Sequence, residues 1–324
     1  MAASNAAGRR RLGNTGLEVG PLMLGGNVFG WTADEATSFA ILDAFVDAGM
    51  DFVDTANVYS RWAPGNAGGE SEAILGRWFA QGGRRDRLIL ATKCGMEMGP
   101  GETGLSRDAI VRAAESSLRR LGTDRIDLYQ SHKDDPTTPL DETLGAYDAL
   151  IKAGKVRAIG ASNFSADRLA EALRVGRAAG LPCYGSLQPE YNLYDRAKFE
   201  AELEPLCVRE GLGVVPYYAL ASGFLTGKYR TEADLNRGPR GQKARNYLNE
   251  RGLGILAALD DVAGRLGSTP GRVAIAWLLA RPSITAPIAS ATSTAQLDDL
   301  VAATRLTLDD DAVATLDRAS AWQS

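Results

Sequence analysis

Apolar and polar positions along the 324-residue chain follow two alternating periods. Short runs that are apolar on both faces occur at 21–24, 51–55, 88–93, 126–131, 157–161, 183–187, 214–218 and 284–288, and each reads as a buried strand. Between them lie longer stretches with helical spacing. Near Ser106 begins a helix whose Ile110, Ala113, Ala114, Leu118 and Leu121 share one face, with Gly122 as its stop. Leu140, Leu144, Tyr147, Leu150 and Ile151 form a second such face, ended by Gly154, and Leu253, Leu256, Leu259, Val262 and Leu266 a third.

Eight buried strands separated by helices imply parallel strands joined by right-handed crossovers, and so a closed (β/α)8 barrel. A doubly wound sheet is the alternative, but it usually carries a phosphate-binding glycine turn directly after its first strand. Here the first strand runs into Gly25-Gly26-Asn27, which does not fit. A GxGxxG match at Gly99, Gly101 and Gly104 lies six residues past its strand and contains Pro100 and Glu102, so it reads as an ordinary loop. Before the first strand, 10–12 and 17–19 flank Gly13-Asn14-Thr15-Gly16 as a short hairpin, suited to plug the barrel bottom. The segment 222–250 is long, irregular and basic, which in a compact domain usually marks function or disorder. The expected organisation is a tail at 1–9 and one α/β barrel domain at 10–324.

Composition narrows the function. With 36 Lys+Arg against 40 Asp+Glu, the net charge of -4 offers no broad field for nucleic acid or an anionic membrane. No signal-like apolar region follows Arg9-Arg10-Arg11, and no 18-residue apolar run occurs, so a cytoplasmic location and a small-molecule partner are expected. Cys94, Cys183 and Cys207 suit buried thiols in a reducing compartment. His132 is the one histidine, which excludes three-histidine zinc sites and HExxH metalloproteases, and no metal site is expected.

In a barrel of this kind the chemistry lies at the C-terminal strand ends. Asp54 ends the second strand, Tyr59 follows it, Lys93 ends the third and His132 follows the fourth. Together they make a proton donor. An ammonium beside a phenol favours the phenolate, Asp54 would hold Lys93 charged, and His132 could orient a substrate carbonyl. Protonating that oxygen while hydride reaches carbon requires a nicotinamide cofactor, because no side chain donates hydride.

These residues carry a resemblance. Over roughly 10–319 the chain resembles the aldo-keto reductases, in Asp51-Phe52-Val53-Asp54-Thr55-Ala56-Asn57-Val58-Tyr59, Ala91-Thr92-Lys93, Tyr129-Gln130-Ser131-His132 with Asp135, the stretch from Gly154 to Phe164, and Gln188-Pro189-Glu190-Tyr191-Asn192-Leu193. The resemblance implies a (β/α)8 barrel that binds NADPH, or NADH, without a dinucleotide-binding glycine turn. It makes Tyr59 the general acid, tuned by Lys93 and Asp54, with His132 orienting the carbonyl. It implies that Ser162, Asn163 and Gln188 hold the nicotinamide carboxamide and that Tyr217 stacks on the ring. The loop with Leu220, Ser222 and Lys228 would fold over the pyrophosphate, and Ser290, Thr292, Gln296 and Asp299 would contact the adenosine end.

The sequence departs from the family pattern at two places. Tyr217-Tyr218-Ala219-Leu220 replaces the common Tyr-Ser-Pro-Leu, removing a serine hydroxyl, and the segment 287–300 contains no Lys or Arg, which leaves the NADPH preference supported only in part. Asn27, Phe29, Trp31, Trp62 and Tyr218 are the candidate substrate pocket. The expected activity is reversible reduction of an aldehyde or ketone. The alternatives are a Schiff-base aldolase using Lys93 and a cofactor-binding regulatory or channel-associated subunit with little turnover. Oligomeric state cannot be read from the pattern.

Overall fold

The computed structural model describes residues 8–99 and 101–322. The tail expected at 1–9 lies, except for residues 8 and 9, outside them. A two-stranded antiparallel hairpin, β1 (Arg10–Arg11) and β2 (Glu18–Val19), precedes the barrel. Eight parallel strands follow in chain order: β3 (Met23–Gly25), β4 (Phe52–Asp54), β5 (Ile89–Cys94), β6 (Ile126–Ser131), β7 (Val156–Ser162), β8 (Ser186–Gln188), β9 (Gly213–Val214) and β10 (Ile288–Ala289). From β4 to β9 each pairs with its predecessor, and β10 pairs with β3. Closure comes from the parallel bridge Val214↔Ile284 and from the amides of Thr285 and Ile288, which donate to Val214 O (2.8 Å) and Pro216 O (2.9 Å).

The helices are α1 (Glu35–Asp47), α2 (Glu70–Phe79), α3 (Arg107–Leu121), α4 (Leu140–Lys152), α5 (Ala166–Ala179), α6 (Glu204–Glu210), α7 (Gly241–Ala244), α8 (Glu250–Arg265), α9 (Pro270–Ala280), α10 (Thr294–Ala303) and α11 (Asp310–Ala319). Local chemistry sets their ends. Ser106 caps α3 by accepting from Ala109 N, and Gly122 leaves it at φ +60°, a conformation that suits glycine. The expected face of α8 is corrected at one position: Leu253 is 43% exposed, while Ile255, Leu256, Leu259 and Val262 are buried.

Two apolar clusters divide the core. Leu12, Leu17 and Val19 of the hairpin enter the barrel bottom against Met23, Phe52, Ala91, Leu128, Ala158 and Val215. The second cluster fills the layer between the strands' outer faces and the helices. At the bottom rim the buried Asp127 accepts from Arg85 (2.7 Å), Arg157 (2.8 Å) and Leu90 N (2.9 Å), tying β5, β6 and β7 together. The basic segment 222–250 is ordered by short turns that bury Tyr229, Leu235, Ala244 and Tyr247.

Candidate active site

Strand alternation decides which side chains reach the barrel's upper mouth. Phe52, Ala91, Leu128 and Ala158 point into the barrel, so Asp54, Lys93, Gln130 and Gly160, two residues on, point the same way one layer higher. Register aligns Lys93 with Gln130, Gln130 with Gly160, and Ser162 with Gln188. A Cβ at Gly160 would stand 2.5 Å from Ser186 Oγ and 3.2 Å from Gln130 Cγ, so glycine there makes room for both.

The four candidates for proton transfer meet. Asp54 Oδ2 accepts from Lys93 Nζ at 2.6 Å and from the Tyr59 hydroxyl at 2.9 Å, and Lys93 Nζ donates to Tyr59 Oη at 2.7 Å. The third Lys93 bond goes to Thr55 O at 2.9 Å. The ammonium is completely buried. His132 follows β6, with its amide donating to Cys94 O at 2.8 Å, and its ring stands edge-on to Tyr59 at 5.9 Å.

The electrostatics correct one expectation. Rather than being drawn down by Lys93, the Tyr59 phenol is held well above its ordinary value, first by burial and then by the carboxylate of Asp54 that accepts its hydrogen. Burial lowers Lys93, against the opposing pull of Asp54 and Glu72. Burial also holds His132 well below the usual histidine range, with Lys93 and Lys133 adding to the effect. Its Nδ1 is buried without a hydrogen-bond partner among the described residues. At neutral pH the arrangement is therefore a protonated phenol beside a neutral imidazole.

The residues expected at the nicotinamide form a connected group. Ser162 Oγ donates to Gln188 O (2.8 Å), and Asn163 Nδ2 donates to His132 O (2.8 Å) and Ser162 Oγ (3.2 Å). Tyr217 donates to Asn163 Oδ1 at 2.8 Å, and Gln188 Nε2 donates to Asp54 Oδ1 at 3.0 Å. A hydroxyl and two amides along one edge offer both donors and acceptors, the complement of a carboxamide. Among the described residues, the non-glycine positions in the left-handed region are Ser60, Asn163, Tyr218, Ala221 and Ser222, all in loops that follow barrel strands. Such backbone strain concentrates at functional sites.

The other cofactor candidates spread further. Leu220 and Ser222 lie in the turn beyond Tyr218, and exposed Lys228 places its Nζ over the Tyr229 ring at 5.0 Å. Thr292 donates through N and Oγ1 to Gln296 Oε1, at 2.9 and 3.1 Å. Asp299 is bound by Arg272 of α9 at 2.9 Å, so the cation missing from 287–300 arrives from a neighbouring helix. Of the six cations in the basic segment, Arg230, Arg237 and Arg245 are paired to Asp260, Asp234 and Glu232. Lys228, Arg240 and Lys243 have no acidic partner among the described residues.

The proposed pocket is partly revised. Phe29 is fully buried in the outer core and does not line the mouth; its contribution is its carbonyl, which accepts from Ser60 Oγ at 2.6 Å. Asn27 Oδ1 accepts from Ser290 Oγ at 2.6 Å. Trp31 meets Trp62 edge-on at 5.8 Å, and Trp62 meets Tyr59 at 6.0 Å. Tyr218 packs on Tyr217 at 5.1 Å. In the GxGxxG loop, Asp135 accepts from Leu105 N at 2.8 Å, and a Cβ on Gly104 would fall 2.7 Å from its carboxylate, a poor setting for phosphate.

Two residues escaped the sequence reading. Gln130 donates to Asp54 Oδ1 at 3.4 Å and accepts from Gln188 at 3.4 Å, joining the proton-transfer group to the amide group. Its signal was an uncharged polar residue two positions after the inward-facing Leu128. Arg240, whose guanidinium lies 5.9 Å from the Trp31 ring, had no sequence signal that set it apart from the other loop cations.

Comparison with known proteins agrees in extent. A family model described as "Aldo/keto reductase family" matches residues 21–321. The chain is 40% identical to "Uncharacterized oxidoreductase YrpG" of Bacillus subtilis, covering 92% of this chain and 91% of that one. It is 35% identical to "Probable voltage-gated potassium channel subunit beta" of Arabidopsis thaliana, covering 90% and 89%. It is 33% identical to "Aldo-keto reductase yakc [NADP(+)]" of Schizosaccharomyces pombe, covering 87% and 82%.

Proposed function

The chain belongs to the aldo/keto reductase family and is an NAD(P)-dependent oxidoreductase, and from that premise we propose that it reversibly reduces an aldehyde or ketone with NADPH, taking the proton from Tyr59. The observation that carries this reading is the triangle of Asp54, Lys93 and Tyr59, with edges of 2.6, 2.7 and 2.9 Å.

A reduced nicotinamide, when bound, supplies the hydride. The chain's own residues do the rest. Tyr59 is protonated at neutral pH and holds the proton that the carbonyl oxygen must receive. As that proton leaves, charge develops on Tyr59 Oη, 2.7 Å from the Lys93 ammonium, which stabilises it without moving. Asp54 keeps the ammonium aimed at the phenol. Neutral His132 contributes a hydrogen bond to the same oxygen, and Trp62 stands edge-on to Tyr59 with Trp31 beyond it. Ser162, Asn163 and Gln188 orient the carboxamide, and Tyr217 supports the ring. Lys228 is the cation available to the cofactor's phosphates, with Arg272, held by Asp299, as a second one beside the 287–300 segment, and the name of the fission-yeast relative favours the phosphorylated form.

The Schiff-base alternative loses support because Lys93 spends its three hydrogens on Asp54, Thr55 and Tyr59 and presents no lone pair. The channel-subunit name of the Arabidopsis relative sustains the second reading, a cofactor-binding subunit with little turnover. Following the absorbance of NADPH and NADH across a panel of aldehydes and ketones separates the two. Turnover with several carbonyls, faster with NADPH, is expected; cofactor binding without oxidation by any carbonyl would support the subunit reading instead.

A further inference from the structure

Arg240 is the unusual cation of the barrel mouth. Its Nη2 is buried with no hydrogen-bond partner among the described residues, although a guanidinium carries five donors in a fork shaped for carboxylate or phosphate. The other arginines of the same segment are neutralised by acids. Its setting is aromatic: the guanidinium lies over Trp31 at 5.9 Å, Trp31 meets Trp62 at 5.8 Å, and Trp62 meets Tyr59 at 6.0 Å. Tyr59 and Tyr218 are also within its electrostatic reach. Lys228, near enough to repel it, adds to the positive potential.

We propose that Arg240 is a specificity-determining residue that binds an anionic group on the substrate, so that the preferred carbonyl compound carries a carboxylate or phosphate beyond an apolar spacer. A substrate oxygen held at Tyr59 would lay its body along Trp62 and Trp31 and bring its far end to the guanidinium. The tryptophans then fit the spacer and the fork fits the anion. Lys228, turned toward Tyr229, stays with the cofactor.

This rests on the carbonyl-reductase reading, and a binding measurement keeps the two separable. Isothermal titration of the protein with NADP+ is followed by addition of 4-carboxybenzaldehyde, 4-formylphenyl phosphate or 4-methylbenzaldehyde. The oxidised cofactor prevents reduction, so affinity is read without turnover. The anionic aldehydes are expected to bind about 10- to 100-fold more tightly than the methyl compound, as charge-assisted hydrogen bonds to a partly buried guanidinium should. The tighter of the two identifies the anion. Arg240→Met should abolish the difference, and Arg240→Lys should retain part of it, having charge but no fork. Equal affinities in the wild type would overturn the proposal. So would an Arg240→Met variant that keeps the discrimination and binds NADP+ more weakly, since the guanidinium would then serve the cofactor. Absence of turnover with any carbonyl bears on the reductase reading alone.

Discussion

At Lys93 an ammonium with no exposure survives burial because every one of its hydrogens is accepted, by Asp54, Thr55 O and Tyr59. The same neighbours set the protonation of the group. Asp54 sits on the phenol's hydrogen as well as on the ammonium, so Tyr59 stays protonated until its proton is demanded. These roles were legible in the sequence because polar residues at strand ends stand out against apolar strands. The direction of the Tyr59 shift was not, because it depends on burial and on which oxygen receives the proton. His132 offers a direct check. Its folded value lies well below the ordinary 6.5, so the unfolded chain binds a proton first as pH falls, and this group removes stability below about pH 6.5 and is neutral above it. As the chain's one histidine, it gives an unambiguous NMR signal. Its Cε1–H shift is expected to stay at the neutral value from pH 8 to pH 5, whereas a midpoint near 6.5 would mean a solvated ring.

At the level of elements, apolar runs predicted every barrel strand, because parallel strands are buried on both faces. Their ends shifted by a few residues. The run at 214–218 is a regular strand only at Val214, although the amides of Val215 and Tyr217 still donate to Leu187 O and Pro189 O, and it ends at Tyr218, which lies in the left-handed region. Helical period placed α8 but misassigned Leu253, since a face one residue too wide costs the pattern little. Phe29 was read as pocket because aromatics at a barrel mouth and aromatics beneath its loops have the same local pattern. Asp127 at the start of β6 offers a test of what holds the strands together. Removing its carboxylate leaves Leu90 N without its acceptor and the largely buried Arg85 without a counter-charge. Asp127→Ala is expected to cost about 3 kcal/mol in chemical denaturation, with KM for both substrates close to wild type. A loss below about 0.5 kcal/mol would show that β5, β6 and β7 are held by other contacts.

Across the whole molecule, the barrel separates stability from chemistry. The hairpin residues Leu12, Leu17 and Val19 seal the bottom, and the inward-facing polar residues Asp54, Lys93 and Gln130 gather at the top. The missing glycine turn after the first strand was informative, because a barrel mouth can hold a dinucleotide through separate loops. What the chain order hides is the convergence of those loops: Arg240 and Trp31 are about 200 residues apart in sequence and meet only across the mouth. The central claim is that Tyr59 delivers the proton while other residues hold the cofactor. Steady-state reduction of an active aldehyde by Tyr59→Phe, with NADPH affinity measured in parallel, tests it most directly. The expected result is a loss of about 10²- to 10⁴-fold in kcat/KM with cofactor affinity within about twofold of wild type. Turnover within about threefold of wild type would contradict it.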